Sequence, residues 1–458
     1  MTDHIFSRES QEVHKVSTKN RYINTSIPCP GSKSILDTLD KFESRSMHGQ
    51  LPLVWDYAED FNIYDSAGNK WIDFTSAIFF SNVGHSNKRV SEYLYKTIKD
   101  KPLIGCYAYG NDIRAKYLEK LINFAGDNFQ KAFLMSAGTE ATEAAFKLMR
   151  MHGQKLSKKR LGILAFENNW HGRTMGAQML SGNVSQKAWI GNLDNDIHHL
   201  AFPYPWLDQS IDGEEFFNRT IKNLKSQGID PKKDICGMMM ETFQGWGAIF
   251  YPEDFVQAAE RFCRTNNILL TFDEMQSGFA RTGHAFGYQH YNVNPDLICC
   301  GKGMGNGYPL SGVIGKAEIM DLPDIGNMSS THSANPMACA AGIAVLEEII
   351  ERDLIKESIR KGLILHNKLN DIMLKAGGYI SYVLGRGMIA SILFQDPKTK
   401  NPVSKLPSKI AEECMKKGLL VVHTGRESIK IGPPLTISDD ALIEGIEVLS
   451  EVIKKNIN

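Results

Sequence analysis

Apolar residues gather along this chain in short unbroken runs that alternate with longer stretches of helical spacing. Between about residues 100 and 325 the runs are KAFLMS (131–136), LGILAF (161–166), DICGMMME (234–241), NILLTFDE (267–274) and DLICCG (296–301). Runs of this length, apolar throughout, predict strands buried on both faces of a parallel sheet. The segments between them, such as 139–151 and 252–266, repeat apolar residues at three- and four-residue spacing, as helices packed on a sheet do. The alternation predicts an α/β fold with a mainly parallel sheet covered by helices.

The pattern changes on either side of this region. The first 33 or so residues are polar and aperiodic and predict an arm. Ile35, Leu36, Leu39 and Phe42 then recur at helical spacing. Residues 61–75 predict two strands across a turn at Ser66-Ala67-Gly68-Asn69. A strongly helical stretch at 333–377 leads into short strands around the helix PSKIAEECMKKG, and a last helix starts after the N-cap residue Ser438. This texture predicts a smaller α+β domain. The expected division is 1–62 as an N-terminal arm and segment packing with the small domain, 63–330 as the large domain, and 331–458 as the C-terminal small domain.

Composition narrows the partners. Lys+Arg and Asp+Glu both number 52, so the formal net charge is zero, and no basic stripe offers a nucleic-acid footprint. No apolar run reaches the roughly 18 residues that span a bilayer, and the polar N-terminus lacks the apolar core of a secretion signal. The eight cysteines form no CxxC pair and no metal-ligand spacing. A cytoplasmic protein without metal, membrane or nucleic-acid partners is the expectation.

In an open α/β sheet ligands gather at the carboxyl ends of the strands, so what each run ends in matters most. The first ends in Ser136-Ala137-Gly138-Thr139 and opens a helix, which presents backbone N–H groups to an anion such as a phosphate. Small residues equally serve there as plain caps. The second run leads to Trp170 and His171, able to stack on a planar ring or simply to pack under a loop. The fourth ends in Asp273, a carboxylate that needs a cation when buried; a protonated ring nitrogen or a structural ion pair would serve. The fifth ends in Lys302. The frame around it is neither a P-loop, since Gly303 follows it, nor GxGxxG, since position 306 is Asn. A lysine at a buried strand end, its pKa lowered, is a nucleophilic amine able to form a Schiff base. Phosphate site, stacking aromatic, aspartate and Schiff-base lysine together describe a pyridoxal 5'-phosphate (PLP) pocket.

These residues also carry a resemblance. SAGTEATEAAFKLMR, WHGRT, ETFQGWGAIFYP, LLTFDEMQSGFARTG, PDLICCGKGMGNGYPLSGVIG, STHSANPMACAAG and KIGPPLTIS stand in the order found in class III PLP-dependent aminotransferases, the group of ornithine and 4-aminobutyrate aminotransferases. The resemblance spans roughly residues 50 to 455. It implies fold type I and a homodimer with active sites at its interface. Lys302 resembles the lysine that forms the internal aldimine and shuttles a proton, and Asp273 the partner of the ring nitrogen. Gln276 resembles the residue that binds the ring hydroxyl, Gly138 and Thr139 the phosphate cradle, and Trp170 the stacked aromatic. Thr331 resembles a phosphate-binding threonine donated by the neighbouring subunit, and Glu241 an acidic residue near the cofactor. Many members pair a Glu in QGEGG with an Arg just before PPL; here Trp246 and Lys430 stand at those places, which bears on the substrate.

The implied reaction moves an amino group between an amine or amino-acid donor and a keto or aldehyde acceptor through an aldimine on Lys302. An amino-acid epimerase or racemase, or a decarboxylating aminotransferase, shares these motifs and stays open. A non-catalytic binding protein on this fold would be expected to lack Lys302 or Asp273, and both are present.

Overall fold

The computed structural model describes residues 5–47, 49–100, 102–207 and 210–457; the first four residues of the expected arm lie outside the described residues. The chain groups into two compact units. One is built from the N-terminal segment up to Asn87, Trp246–Ala248 and the segment from Lys356 onward; the other is Lys88–Gly245 with Ile249–Ile355.

The second unit is organised on a seven-stranded sheet. Its strands are β1 (Lys131–Met135), β2 (Gly162–Phe166), β3 (Ile197–Leu200), β4 (Ile235–Glu241), β5 (Leu269–Asp273), β6 (Leu297–Cys300) and β7 (Ser311–Gly315), in the spatial order β1-β7-β6-β5-β4-β2-β3. The five neighbours from β6 to β3 run parallel, and β7 is antiparallel to both β6 and β1. Every residue of β2, β4, β5, β6 and β7 is buried, which accounts for their unbroken apolar runs. The sequence pattern does not mark β3, whose IHHL carries two histidines. As an edge strand it tolerates half-buried polar side chains.

Five helices of this unit matter below: α1 (Lys88–Lys99), α2 (Asp112–Ala125), α3 (Gly138–Leu156), α4 (Met175–Leu180) and α5 (Pro336–Glu351). Helix α3 lays Ala141, Ala144, Ala145, Leu148 and Met149 on the sheet, against Met239 of β4, Cys299 of β6 and Val313 of β7. Its alanines let the helix approach closely, and dispersion over that dense contact adds to the burial of apolar surface.

In the first unit, strands Asn62–Tyr64 and Lys70–Asp73 pair antiparallel with Ile63 opposite Trp71, across the expected turn, where Gly68 takes a φ of 79°. Lys70–Asp73 also pairs in parallel with Leu419–Leu420, and the buried Trp71 donates from Nε1 to the Met415 carbonyl at 2.7 Å. A four-stranded antiparallel sheet comprises Ile380–Arg386, Ile389–Phe394, Ser428–Ile431 and Val422–His423 in that spatial order. Among the described residues no helix is long and apolar enough to cross a membrane.

This grouping differs from a division at 62/63 and 330/331, for two physical reasons. Strands Asn62–Tyr64 and Lys70–Asp73 belong to the sheet that Leu419–Leu420 joins, and the residues up to Asn87 group with them. Helix α5, buried along nearly its whole length, packs on α1 and α2. At that packing Gly342 lies so close to the fully buried Tyr117 ring that a Cβ would overlap it. Gly342→Ala is expected to destabilise the protein by about 1–3 kcal/mol, the usual magnitude of an overpacked core. A lower denaturant midpoint at unchanged slope would register it.

Candidate active site

Strand register fixes the floor of the site. Asp273, the last residue of β5, lies beside Glu241 of β4 on one side and Cys299 of β6 on the other. Lys302 follows Cys299 by three residues, so a carboxylate and an amine emerge from adjacent parallel strands at their carboxyl ends. Between them and the start of α3 lies a cavity of about 260 Å³. Gly138, Thr139, Trp170, Glu241, Asp273, Gln276 and Lys302 all line it, with His171 and Met275 among the others.

Lys302 keeps some surface open to the cavity, while its amine is enclosed by protein. Burial lowers its pKa, and the Asp273 and Glu241 carboxylates pull it partly back. Its backbone sits at φ 43°, in the left-handed region that a lysine adopts only at a cost of about 1–3 kcal/mol. The strain aims the side chain off the end of β6 into the cavity. Opposite it, Asp273 Oδ2 is 2.9 Å from His171 Nδ1, and its Oδ1 accepts from the Met275 N–H at 3.1 Å. His171 is buried, its backbone N–H donating to Ser181 Oγ and its carbonyl accepting from Thr142 Oγ1. The ring therefore holds Asp273 edge-on, and does not stack on a planar ligand as its place in the sequence allowed.

Glu241 is a strut. It accepts from the Trp170 N–H at 3.0 Å and the Gly245 N–H at 3.1 Å, joining two loops at the cavity wall. A Cβ on Gly245 would come within 2.6 Å of Gln276 Nε2 and 2.8 Å of Glu241 Oε1, so a larger residue there would have to displace the ends of both side chains. Over Trp170 the Arg173 guanidinium stacks 4.4 Å from the ring centroid and adds a cation beside the mouth.

At the other end, β1 runs into α3. Glu140 reaches back to accept from the N–H groups of Ser136 and Ala137 at 2.9 and 2.8 Å. The next two, of Gly138 and Thr139, open the helix and have no intrahelical partner, so they are available to an anion. Anion donors, a carboxylate suited to a protonated ring nitrogen and an amine of lowered pKa thus share one cavity. The donor set fits PLP.

Not every expected residue is among those lining this cavity. Thr331 is exposed and absent from its lining. Trp246 and Lys430 belong to the other unit. There the Arg426 guanidinium lies 3.8 Å above the Trp246 ring centroid, Ser428 Oγ donates to the Trp246 carbonyl at 3.0 Å, and the Lys430 ammonium sits 4.3 Å from the Phe79 centroid. The contact of His171 with Asp273 is not legible in the sequence, since nothing in the spacing links residues 102 positions apart.

A family model described as aminotransferase class-III matches residues 44–453. The chain is 30% identical to the mitochondrial acetylornithine aminotransferase of Saccharomyces cerevisiae over 86% of its own length and 89% of that protein's. It is 32% identical to a probable 4-aminobutyrate aminotransferase of Bacillus subtilis, covering 90% of this chain and 95% of that one. An amine transaminase from an uncultivated Pseudomonas species, solved in its PLP-bound form, superposes with a TM-score of 0.81 at 25% identity, over 90% of this chain and 97% of that one.

The lowered pKa of Lys302 has a consequence for stability. Unfolding restores the ordinary lysine value of 10.5, so between the lowered folded value and 10.5 the unfolded state binds the extra proton and stability rises with pH. Lys302→Met in the cofactor-free protein is expected to resist denaturant better than the parent at neutral pH. That advantage should shrink as pH approaches 10.5, as chemical denaturation across the range would record.

Proposed function

The chain belongs to the class-III aminotransferases, PLP-dependent enzymes of fold type I that move an amino group between two small molecules, and from that membership we propose the roles its own residues take. The observation that carries them is the enclosed Lys302 amine, its pKa lowered, in one cavity with Asp273 and the start of α3. When bound, PLP supplies an electron sink for the carbon that bears the transferred amine. Lys302 would hold the cofactor through its amine, whose pKa burial lowers, and would take and return the proton of the donor's α carbon. Asp273 would hold the proton on the ring nitrogen, and His171 fixes its carboxylate from the other side through the contact at 2.9 Å. The N–H groups of Gly138 and Thr139 hold the phosphate, Trp170 covers one ring face and Gln276 binds the ring hydroxyl. Glu241 keeps the Trp170 and Gly245 loops in place.

The donor in this proposal is an amine or amino acid and the acceptor a keto acid or aldehyde. Trp246 gives the substrate side an apolar plane and Lys430 a point charge, where many members of the family have a Glu and an Arg. A homodimer is supported by exposed large apolar residues close together in sequence in the second unit, Tyr95, Ile98, Ile104, Tyr107 and Tyr109. Thr331 would then reach the phosphate of the neighbouring subunit. All eight cysteines are free, seven of them buried, which supports a reducing place such as the cytoplasm. The yeast relative, by contrast, is named as mitochondrial.

The test is a panel of donors, 4-aminobutyrate, ornithine, N-acetylornithine and simple aliphatic amines, each mixed with the enzyme in a single turnover and read by the cofactor's absorption band. The parent should convert the band with at least one donor, and Lys302→Ala should lose about 10⁴-fold or more of that rate, as removal of a covalent catalyst does. A donor racemised while the band stays unchanged would replace transamination with epimerisation.

Subunit exchange tests the placement of Thr331. Mixing inactive Lys302→Ala with a weakened Thr331→Ala is expected to regenerate, in the mixed dimers, one site with both native residues. Activity should rise to about a quarter of the parent's for random exchange between chains. No gain on mixing would put Thr331 in its own subunit's site or in none.

A further inference from the structure

One hydrogen-bonded chain at the cavity wall plays no part in the roles above. Thr139, the second residue of α3, has its Oγ1 2.6 Å from Thr174 Oγ1. Thr174 Oγ1 in turn donates to Glu143 Oε1 at 2.5 Å. Glu143 stands one helical turn after Thr139 on the same face of α3. Its Oε1 also accepts from the N–H groups of Gly176 and Ala177 at 2.9 and 3.2 Å, capping α4 from outside, since Thr174 makes no capping bond of its own. Gly172 closes the assembly: a Cβ there would come within 2.8 Å of Thr139 Cβ, so the loop lies flat on the threonine.

A hydroxyl has one hydrogen, and a carboxylate can only accept. Thr174 gives its hydrogen to Glu143. Its oxygen can then only accept from Thr139, whose single hydrogen is spent in that bond. The Thr174 N–H, 3.4 Å from Thr139 Oγ1, faces the same oxygen as a donor. What the Thr139 hydroxyl leaves toward the cavity is lone-pair density, which repels an anion.

We propose that Glu143 is a positioning residue that sets the polarity of this chain. It draws the hydroxyl hydrogens of Thr174 and Thr139 inward, so the cofactor phosphate is held by backbone N–H groups and the Thr139 hydroxyl acts as a strut to the Gly172–Ala177 loop. The inference rests on the PLP reading of the cavity and sharpens it. Thr139 contributes its main chain to the phosphate, and its side chain to the wall.

A double-mutant cycle on the full-length protein, depleted of cofactor, tests this by titration with PLP and with pyridoxal, which lacks the phosphate. The readout is the ratio of the two dissociation constants. Thr139→Val should leave that ratio within about twofold of the parent, because the hydroxyl gives the phosphate no hydrogen. In a Glu143→Ala background Thr174 is released and the Thr139 hydroxyl can turn outward, so there Thr139→Val should lower the preference for PLP by about fivefold or more. Glu143→Gln, whose amide oxygen still accepts from Thr174, Gly176 and Ala177, should behave as the parent does. Where Glu143→Ala does not fold, Glu143→Met fills the same volume without an acceptor and takes its place. A fivefold loss of PLP preference from Thr139→Val in the parent itself, or no difference between the two backgrounds, overturns the proposal. A parent protein that binds neither PLP nor pyridoxal overturns the cofactor reading beneath it.

Discussion

A lysine amine enclosed by protein has to sit near a carboxylate or give up its proton, and the site of this protein is arranged around that constraint. Burial pushes the Lys302 pKa down, while the Asp273 and Glu241 carboxylates pull it partly back. Full pairing would leave an inert ammonium. Full burial without carboxylates would make the strained approach of Lys302 to the cavity harder to maintain. The balance depends on parallel strands that deliver Glu241 and Asp273 side by side and place Lys302 beyond the neighbouring strand.

The remaining wall residues keep that geometry fixed. His171 grips one oxygen of Asp273 and the Met275 N–H grips the other, so the carboxylate has little freedom to swing toward Lys302 and neutralise it. Glu241 spends its oxygens on the Trp170 and Gly245 N–H groups, which makes it a joint between loops more than a free charge. Glu140 and Glu143, on the same helix, each satisfy N–H groups at a chain turn and leave those of Gly138 and Thr139 open. Three glutamates thus serve as acceptors for backbone, and the anion donors are what remains.

The first unit shows a different economy of charge. Where the family often sets a Glu against an Arg, Trp246 carries the Arg426 guanidinium on its face and the Lys430 ammonium rests on Phe79.

The pattern of apolar residues was enough to read most element types, the parallel core and the residues at its strand ends. Fully buried strands must be apolar throughout, and whatever polar residue ends such a run is exposed to view. Asp273, Lys302 and the Gly138-Thr139 turn were legible for that reason. The edge strand β3 was not, because its histidines break the run, nor was the grouping of α5 with α1 and α2, which depends on a glycine meeting Tyr117 across more than 200 residues. That His171 meets Asp273 and Glu143 reaches Thr174 emerges with the folded chain alone, since hydrogen bonds between distant segments leave no period in the sequence. Spacing records what each element needs locally; the direction of a single proton is set by partners that folding brings together.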